Sequence, residues 1–521
     1  HVVNDGHQHV EVPQLHVTIH ECAVDVILPV LDFQRVEGSE GGHQSVQVLL
    51  QDGLDAQGEL CAQAAHIPVH LGSMAFAMRD IVAAFDWSPG DMIVVNDPYK
   101  GGTHLPDVTL VAPFFEGGEL HGFVANRAHH ADIGAETPGS MPLSSSLLEE
   151  GLVIEPTLLV KGGQIIEPYF DELMSHMRNR DESSGDFIAQ IAANRRGLKR
   201  LATLLAKTGA SEYLESLTAL NEYAASLARA SLKGVQDGEY LFSDVLDDDG
   251  QGHLDIQIQV RVVVENGKVT VDFDGSADQV AGNINCPLSV TAAAVYYVFR
   301  CLMPAQTPAC AGSFRHIDII APSGSVINAS YPAAVAAGNV ETSTRIVDVV
   351  LGALSQALPG RIPAASHGSM NNLAMGYQGD EQHTAWDYYE TIGGGMGASG
   401  VSDGLNAVQT HMTNTLNTPI ESLEMKYPLR VIRYQIRHGS SGFGKHCGGE
   451  GLIREYEFLA PAQVTILSER RSHQPWGLAA GGSAKAGVNT LNRKALFAKQ
   501  SLSVQAGEVI CIKTPGGGGF G

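Results

Sequence analysis

Residues 107–130 read DVTLVAPFFEGGELHGFVANRAHH, two apolar runs separated by Glu116-Gly117-Gly118-Glu119. A Gly-Gly pair supplies the positive φ angles that a two-residue hairpin loop requires, so the stretch predicts an antiparallel β-hairpin. With a two-residue loop, residues 116 and 119 face each other and His129 falls opposite Pro106. A slip of one or two positions leaves His129 beside Asp107. Side chains alternate along a strand, so His129 and His130 point to opposite faces and only one can share a pocket with Asp107. We assign His129 to that pocket and His130 to its neighbourhood.

Just upstream, His104-Leu105-Pro106-Asp107 sets an imidazole and a carboxylate three residues apart across a proline, after a tight turn at Gly101-Gly102. The chain is stiff there, and rigid presentation suits metal ligands. His104, Asp107 and His129 leave coordination positions open for water or substrate, the arrangement of a catalytic rather than a structural metal site. Zinc, manganese and iron all accept this donor set. A divalent ion bound there would polarise a carbonyl oxygen and bring the pKa of water towards neutrality, both of which serve attack on an amide or related carbonyl. His130 and Asp132 are the candidate catalytic groups beside the ligands, Asp132 as the carboxylate that orients a ligating imidazole through its other nitrogen. A single histidine more often caps a turn or sits satisfied in a core; the convergence of three groups on one hairpin singles this stretch out.

The surrounding chain has 521 residues, enough for several domains with proper cores. Hydrophobic residues make up 44% and charged residues only 17%, with 58 glycines, which points to a well-packed protein with much tightly turned backbone. A balance of 33 Lys plus Arg against 57 Asp plus Glu gives a net charge of −24, which repels nucleic-acid phosphates and anionic membrane surfaces. No apolar run approaches the roughly 18 residues of a spanning helix. The first residues lack the basic flank and apolar core of a signal peptide, so the expected location is the cytoplasm. Seven scattered cysteines, none in a C-x-x-C pair, argue for reduced, mostly buried thiols.

The expected fold is mixed α/β (α+β) and multidomain. An N-terminal segment, 1–60, has no sustained period and crowds His1, His7, His9, His16 and His20 together. A metal-site α/β domain spans 61–167. A helical segment follows over 168–235, where Leu201, Leu204, Leu205, Leu214, Leu217 and Leu220 recur at helical spacing and are assigned to the core. A mixed α/β domain covers 236–424, with an Asn266-Gly267 hairpin turn and helices over about 289–303 and 342–358. A Gly-rich β domain, 425–521, ends in Gly516 to Gly519. His66 and His70 in HIPVHLGSM either line the pocket or cap a turn and are left outside the ligand set, and Arg127, Arg470 and Arg471 are candidates for an anionic substrate, with ordinary pairing as the plainer reading.

The blocks NDPYKGGTHLPD, NRAHHADIG, PGSMP, GDFIAQIAANRRG, DFDGSADQVAGNINCP, GNVETSTR, TNTLNTPIE and the terminal TPGGGGFG resemble the hydantoinase B family, the B-type subunits of ATP-dependent hydantoinases and 5-oxoprolinases. The resemblance runs from about residue 63 to 521. It implies a metal held by the histidine and aspartate of HLPD and by a histidine of AHHAD, which fall here on His104, Asp107 and His129. It also implies an A-type partner subunit, in a heterotetramer or larger complex, that binds ATP and phosphorylates the substrate, while this chain completes hydrolysis of a cyclic amide. Relatives in acetone and acetophenone carboxylases imply a ketone carboxylase subunit as the alternative; a non-catalytic scaffold for the A-type subunit is another. ATP then needs no site here, and Gly439 to Lys445, which has P-loop spacing, carries His446 where Ser or Thr should hold magnesium, with Gly448-Gly449 where a helix should start. Before about residue 50 the sequence departs from the family pattern.

Overall fold

The computed structural model describes residues 48–64, 67–380 and 385–521; the histidines of the first twenty residues, Cys22 and His66 lie outside them. Seven strands form the sheet that carries the hairpin: Val48–Leu54 (β1), Leu60–Gln63 (β2), Met92–Val95 (β3), Asp107–Glu116 (β4), Glu119–His129 (β5), Thr157–Lys161 (β6) and Gln164–Ile165 (β7). Their order is β2-β1-β5-β4-β3-β6-β7, antiparallel throughout.

Gly117 and Gly118 take φ of 61° and 88°, and Glu116 faces Glu119 as the two-residue loop requires. Two pairs further on, the register shifts. Phe115 faces Leu120 but Phe114 faces Gly122, so His121 is an extra residue and Asp107 pairs directly with His129, not with Ala128. Beside the shift, β1 runs so close to β5 that a Cβ at Gly122 would sit 2.3 Å from the Leu54 carbonyl oxygen.

Each face of this sheet has its own cover. Ser73–Ala83 (α1) lays Met74, Met78 and Ile81 on Ile93, Val95, Val111 and Phe123. Glu167–Ser175 (α2), Arg180–Thr208 (α3) and Ala210–Leu232 (α4) lie on the other side. On α3, Phe187 and Ile191 join Val108 and Leu110 in one cluster, and Gln190 and Asn194, one turn apart, clamp the hairpin by hydrogen bonds. The Gln190 amide donates to Val108 O and Asn126 Oδ1, the Asn194 amide donates to Leu110 O, and Asn126 donates back to Gln190 O and Asn194 Oδ1. Leu201, Leu204, Leu205, Leu217 and Leu220 are buried, but Leu214 is 41% exposed: the inward stripe of α4 runs Tyr213, Leu217, Leu220, Ala224, and Leu214 stands one position off it.

A second sheet, Gly238–Asp248 (β8), Leu254–Glu265 (β9), Lys268–Asp272 (β10) and Ile317–Ile320 (β11), has the order β11-β10-β9-β8 and turns at Asn266-Gly267 with both φ positive. Helices Leu288–Leu302 (α5) and Ser343–Ala357 (α6) share its core and match the expected helices to within one residue. A π-helical turn, Gly338–Thr342, leads into α6.

Two further sheets follow, one of four strands within 372–504 and one of five within 429–513. The terminal glycine run is packed backbone against backbone on neighbouring loops. Gly517 N donates to Gly449 O, Gly518 N to Ala365 O and Gly519 N to Gly482 O, and a Cβ at Gly448 would meet Gly517 O at 1.8 Å. The six described cysteines carry free thiols. Among the described residues no helix is long and apolar enough to cross a membrane.

Gly448→Ala should therefore lower stability by about 3 kcal/mol or more, since only backbone surrounds the new methyl group. Gly185→Ala, in the exposed interior of α3 with nothing within 4 Å, should raise it by up to ~1 kcal/mol. Urea unfolding midpoints for the two variants check this contrast.

Candidate metal centre

His104 ends the turn before β4, Asp107 opens β4 and His129 closes β5, so the paired register brings all three to one end of the hairpin. One donor atom from each lies within 4.8 Å of the other two. The two histidine rings meet edge to face at 5.3 Å. Asp107 uses only one oxygen within the protein. Its Oδ2 accepts from the Thr103 hydroxyl and from Asn339 Nδ2 at 3.3 Å, with His104 Nε2 at 3.2 Å and His70 Nε2 at 3.7 Å. Its Oδ1 and His129 Nε2 are buried without a partner, and His104 Nε2 is buried facing the carboxylate.

His104 Nδ1 lies 3.3 Å from the Ala336 carbonyl, which accepts only a proton-bearing nitrogen; burial lowers the ring's pKa but Asp107 raises it further, so a metal ion would bind at Nε2 by displacing the proton that faces Asp107. Burial pushes the Asp107 carboxyl up, but the imidazoles of His104, His70 and His129 outweigh it and hold the group well below the usual carboxylate range. Burial, reinforced by His104, pushes His129 down to about 3, leaving it neutral. An ionised carboxylate and a lone-pair imidazole are the states that bind a divalent ion. A carboxylate and two imidazoles whose donor atoms converge in a buried pocket, with Asp107 Oδ1 and His129 Nε2 unpartnered, thus fit such a group.

The other candidates sit elsewhere. His130 points to the α3 face, where its Nε2 donates to Gln190 Oε1 at 2.8 Å and its ring packs on Phe187. Asp132 accepts from the backbone N–H groups of Gly134, Arg178 and Asn179 and pairs with the Arg178 guanidinium, which anchors the start of α3 and orients no imidazole. The structure thus brings three of the five sequence-derived residues together and leaves His130 and Asp132 as supports of the neighbouring helix. Arg127, fully buried, donates to Thr109, Ser73 and Gly101. Arg470 is held by Asp244 and Asp348, and Arg471 by Asn371 and Asn489. These are internal pairings.

Conversely, His70 belongs beside Asp107, and Asn339 and Tyr389 were not anticipated. The Tyr389 ring stacks on His129 at 5.2 Å and 8°. Asn339 is 232 residues from Asp107, and no local pattern spans that distance.

Fold and site together define a mixed α/β protein with a candidate mononuclear metal centre on a β-hairpin. The chain belongs to the Hydantoinase B/oxoprolinase family, whose profile matches residues 54–521. It is 39% identical over 498 residues to 5-oxoprolinase 1 of Arabidopsis thaliana, covering 89% of this chain and 38% of that protein. It is 31% identical over 539 residues to a protein of Pseudomonas sp. (strain NS671) named as the B-type subunit of a D-/L-hydantoinase, covering 96% and 90%. Among solved structures it resembles the ATP-dependent caprolactamase from Pseudomonas jessenii, with a TM-score of 0.86 at 27% identity over 96% of this chain and 89% of that one. The chain therefore spans well under half the length of the plant 5-oxoprolinase.

Metal analysis should find about one equivalent of a divalent ion in wild type and essentially none in His104→Ala, Asp107→Asn or His129→Ala. His130→Ala should keep the ion and lose about 2–3 kcal/mol of stability through its Gln190 and Phe187 contacts. A His130→Ala chain emptied of metal beside a loaded His129→Ala chain would reverse the assignment.

Proposed function

We propose that this chain is the metal-containing B-type subunit of an ATP-dependent cyclic amide hydrolase, acting on a hydantoin, 5-oxoproline or lactam ring that an A-type partner subunit has activated by phosphorylation. The observation that carries this reading is the convergence of donor atoms from His104, Asp107 and His129 at the end of the hairpin, with Asp107 Oδ1 and His129 Nε2 left unpartnered. Zinc, manganese or iron held there would supply a Lewis acid for the carbonyl oxygen and lower the pKa of water.

The chain's own residues prepare that chemistry. Asp107 is kept ionised by the surrounding imidazoles, Asn339 and Thr103 fix its Oδ2 so that Oδ1 is presented, and the Tyr389 ring walls one side of His129. An amide is a poor electrophile. Phosphorylation of its oxygen makes the carbon electrophilic: one water adds there, cleavage of the C–N bond frees the amine and leaves an acyl phosphate, and a second water hydrolyses that to a carboxylate and phosphate.

Support for ATP on another chain comes from Gly439 to Lys445. Gly442 and Gly444 pack against the backbone of Gly482, Gly519 and Phe520, and no helix follows to receive a phosphate. The names of these relatives agree on cyclic amides, one of them as a B-type subunit and one as ATP-dependent. We read the protein as working in a heteromeric complex of heterotetramer size or larger.

Co-expression with an A-type partner, followed by an ATP-dependent panel of hydantoins, 5-oxoproline, lactams and ketones, tests the reading. One ADP should form per ring opened, and Asp107→Asn should cost the complex more than about 100-fold in kcat, beyond the loss from disturbing an outer contact. ATP hydrolysis that needs a ketone and bicarbonate, with no turnover of cyclic amides, would assign a carboxylase instead. Full activity in a His104→Ala complex would leave only a scaffold.

A further inference from the structure

The candidate ligands belong to the hairpin, but the groups that orient them come from one short segment far along the chain. The Ala336 carbonyl faces His104 Nδ1 at 3.3 Å, and Asn339 Nδ2 donates to Asp107 Oδ2 at 3.3 Å. Glu341, two residues on in the same π-helical turn, leads towards the third ligand. Its Oε1 accepts from Asn372 Nδ2 at 2.6 Å and from Met370 N at 3.0 Å. Asn372 Oδ1 accepts from the Tyr389 hydroxyl at 2.6 Å, and the Tyr389 ring lies parallel to the His129 imidazole.

The direction of this chain of contacts is fixed by its own donors and acceptors. Asn372 Nδ2 also donates to Leu467 O at 3.0 Å, so the amide nitrogen has two acceptors and its oxygen must turn towards Tyr389. Without an acceptor at position 341 the amide keeps only one of its two anchors, and the tyrosine hydroxyl loses a fixed target. The segment is anchored too. Glu150 Oε1 accepts from Val335 N and Ala336 N at 2.8 and 2.9 Å, and the Ser343 hydroxyl donates to Asn339 O at 2.7 Å.

A glutamate is a costly residue for this place. It is fully buried, its Oε2 has no partner, and burial, reinforced by Glu469, pushes its carboxyl up to about 8, so it is neutral at pH 7. π-Helical turns are rare and concentrate at functional sites. Packing alone favours an apolar side chain here; the glutamate's two accepted hydrogen bonds are what an apolar side chain lacks.

We propose that Glu341 is a positioning residue of the metal centre, fixing the plane of the His129 imidazole through Asn372 and Tyr389, so that the single segment 336–341 orients all three ligands. This rests on the reading of His104, Asp107 and His129 as ligands. Groups that orient metal-binding imidazoles typically contribute 10- to 100-fold in metal affinity.

The test uses the purified full chain with Co(II) as probe, reading affinity and the visible d–d absorption, alongside thermal unfolding of the metal-free protein. Glu341→Ala should bind Co(II) about 10- to 100-fold more weakly with a shifted spectrum. Tyr389→Phe should weaken it in the same direction; it keeps the stacked ring, loses only the hydroxyl, and serves if Glu341→Ala does not fold. Glu341→Gln should stay within about 3-fold of wild type with an unshifted spectrum, because an amide oxygen accepts the same two hydrogen bonds as the neutral acid. If Glu341→Ala and Tyr389→Phe match wild type in affinity and spectrum while His129→Ala abolishes binding, the positioning role falls and the metal centre stands. Glu341→Gln binding as weakly as Glu341→Ala would also overturn it. Wild type that takes up no Co(II) would overturn the ligand reading and this proposal with it.

Discussion

At Gly122 the second strand of the hairpin passes so close to the Leu54 carbonyl that a Cβ would sit 2.3 Å from it, and beside that contact the strand takes up one extra residue. A one-residue change of register exchanges the two faces of a strand. Without it, Asp107 would face Ala128 and His129 would point at α3. With it, Asp107, Thr109 and Val111 share a face with His129, Arg127 and Ala125. Every later feature of the candidate centre depends on that exchange: the meeting of the two imidazoles, the unpartnered Oδ1 and the stack on Tyr389.

The opposite face is settled by different chemistry. Gln190, Asn194 and Asn126 saturate one another and two strand carbonyls, and His130 closes the set, which ties a long helix to the back of the hairpin at fixed height. A comparable but ionic arrangement lies beyond the π-helical turn. Arg345, Asp244, Arg470, Asp348, Glu469 and Lys499 join β8, α6 and the segment after residue 467 in one buried set of charges. Such groups lose much of their hydration, so their arrangement is tolerable only when every partner is in place. They define geometry more than they add stability.

What could be read from the sequence was local. Gly117-Gly118 and Asn266-Gly267 announce their turns because few other residue pairs accept two positive φ angles, and the helices near 289–303 and 342–358 follow from periodicity. His104, Asp107 and His129 could be grouped because they lie within one hairpin. The bulge was not legible, because Gly122 is required by an approach of β1 and not by its own neighbours. Leu214 was misplaced because leucines at two adjacent helical stripes look alike until the partner surface is known. His70 could be read as lining the pocket or capping a turn, and its place beside Asp107 decides for the pocket; Asn339 and Tyr389 come from distant segments, and His130 and Asp132 lie near the pocket in sequence while their hydrogen bonds go to α3 and its start.

The segment from Ala336 to Glu341 has a mechanical meaning as well. The inner face of the hairpin belongs to one packed body of side chains, while the α5–α6 layer and Tyr389 share another, and around the candidate centre the two meet through hydrogen bonds such as that from Asn339 to Asp107 and through the stack of Tyr389 on His129. An ion held by the hairpin would act as a rivet through both. By mass action, a ligand at 100 times its dissociation constant adds about 2.7 kcal/mol to the folded state. Here that sum would be lodged at the seam between the two bodies, so loading would be felt first as a loss of relative motion between them and only secondarily as resistance to unfolding.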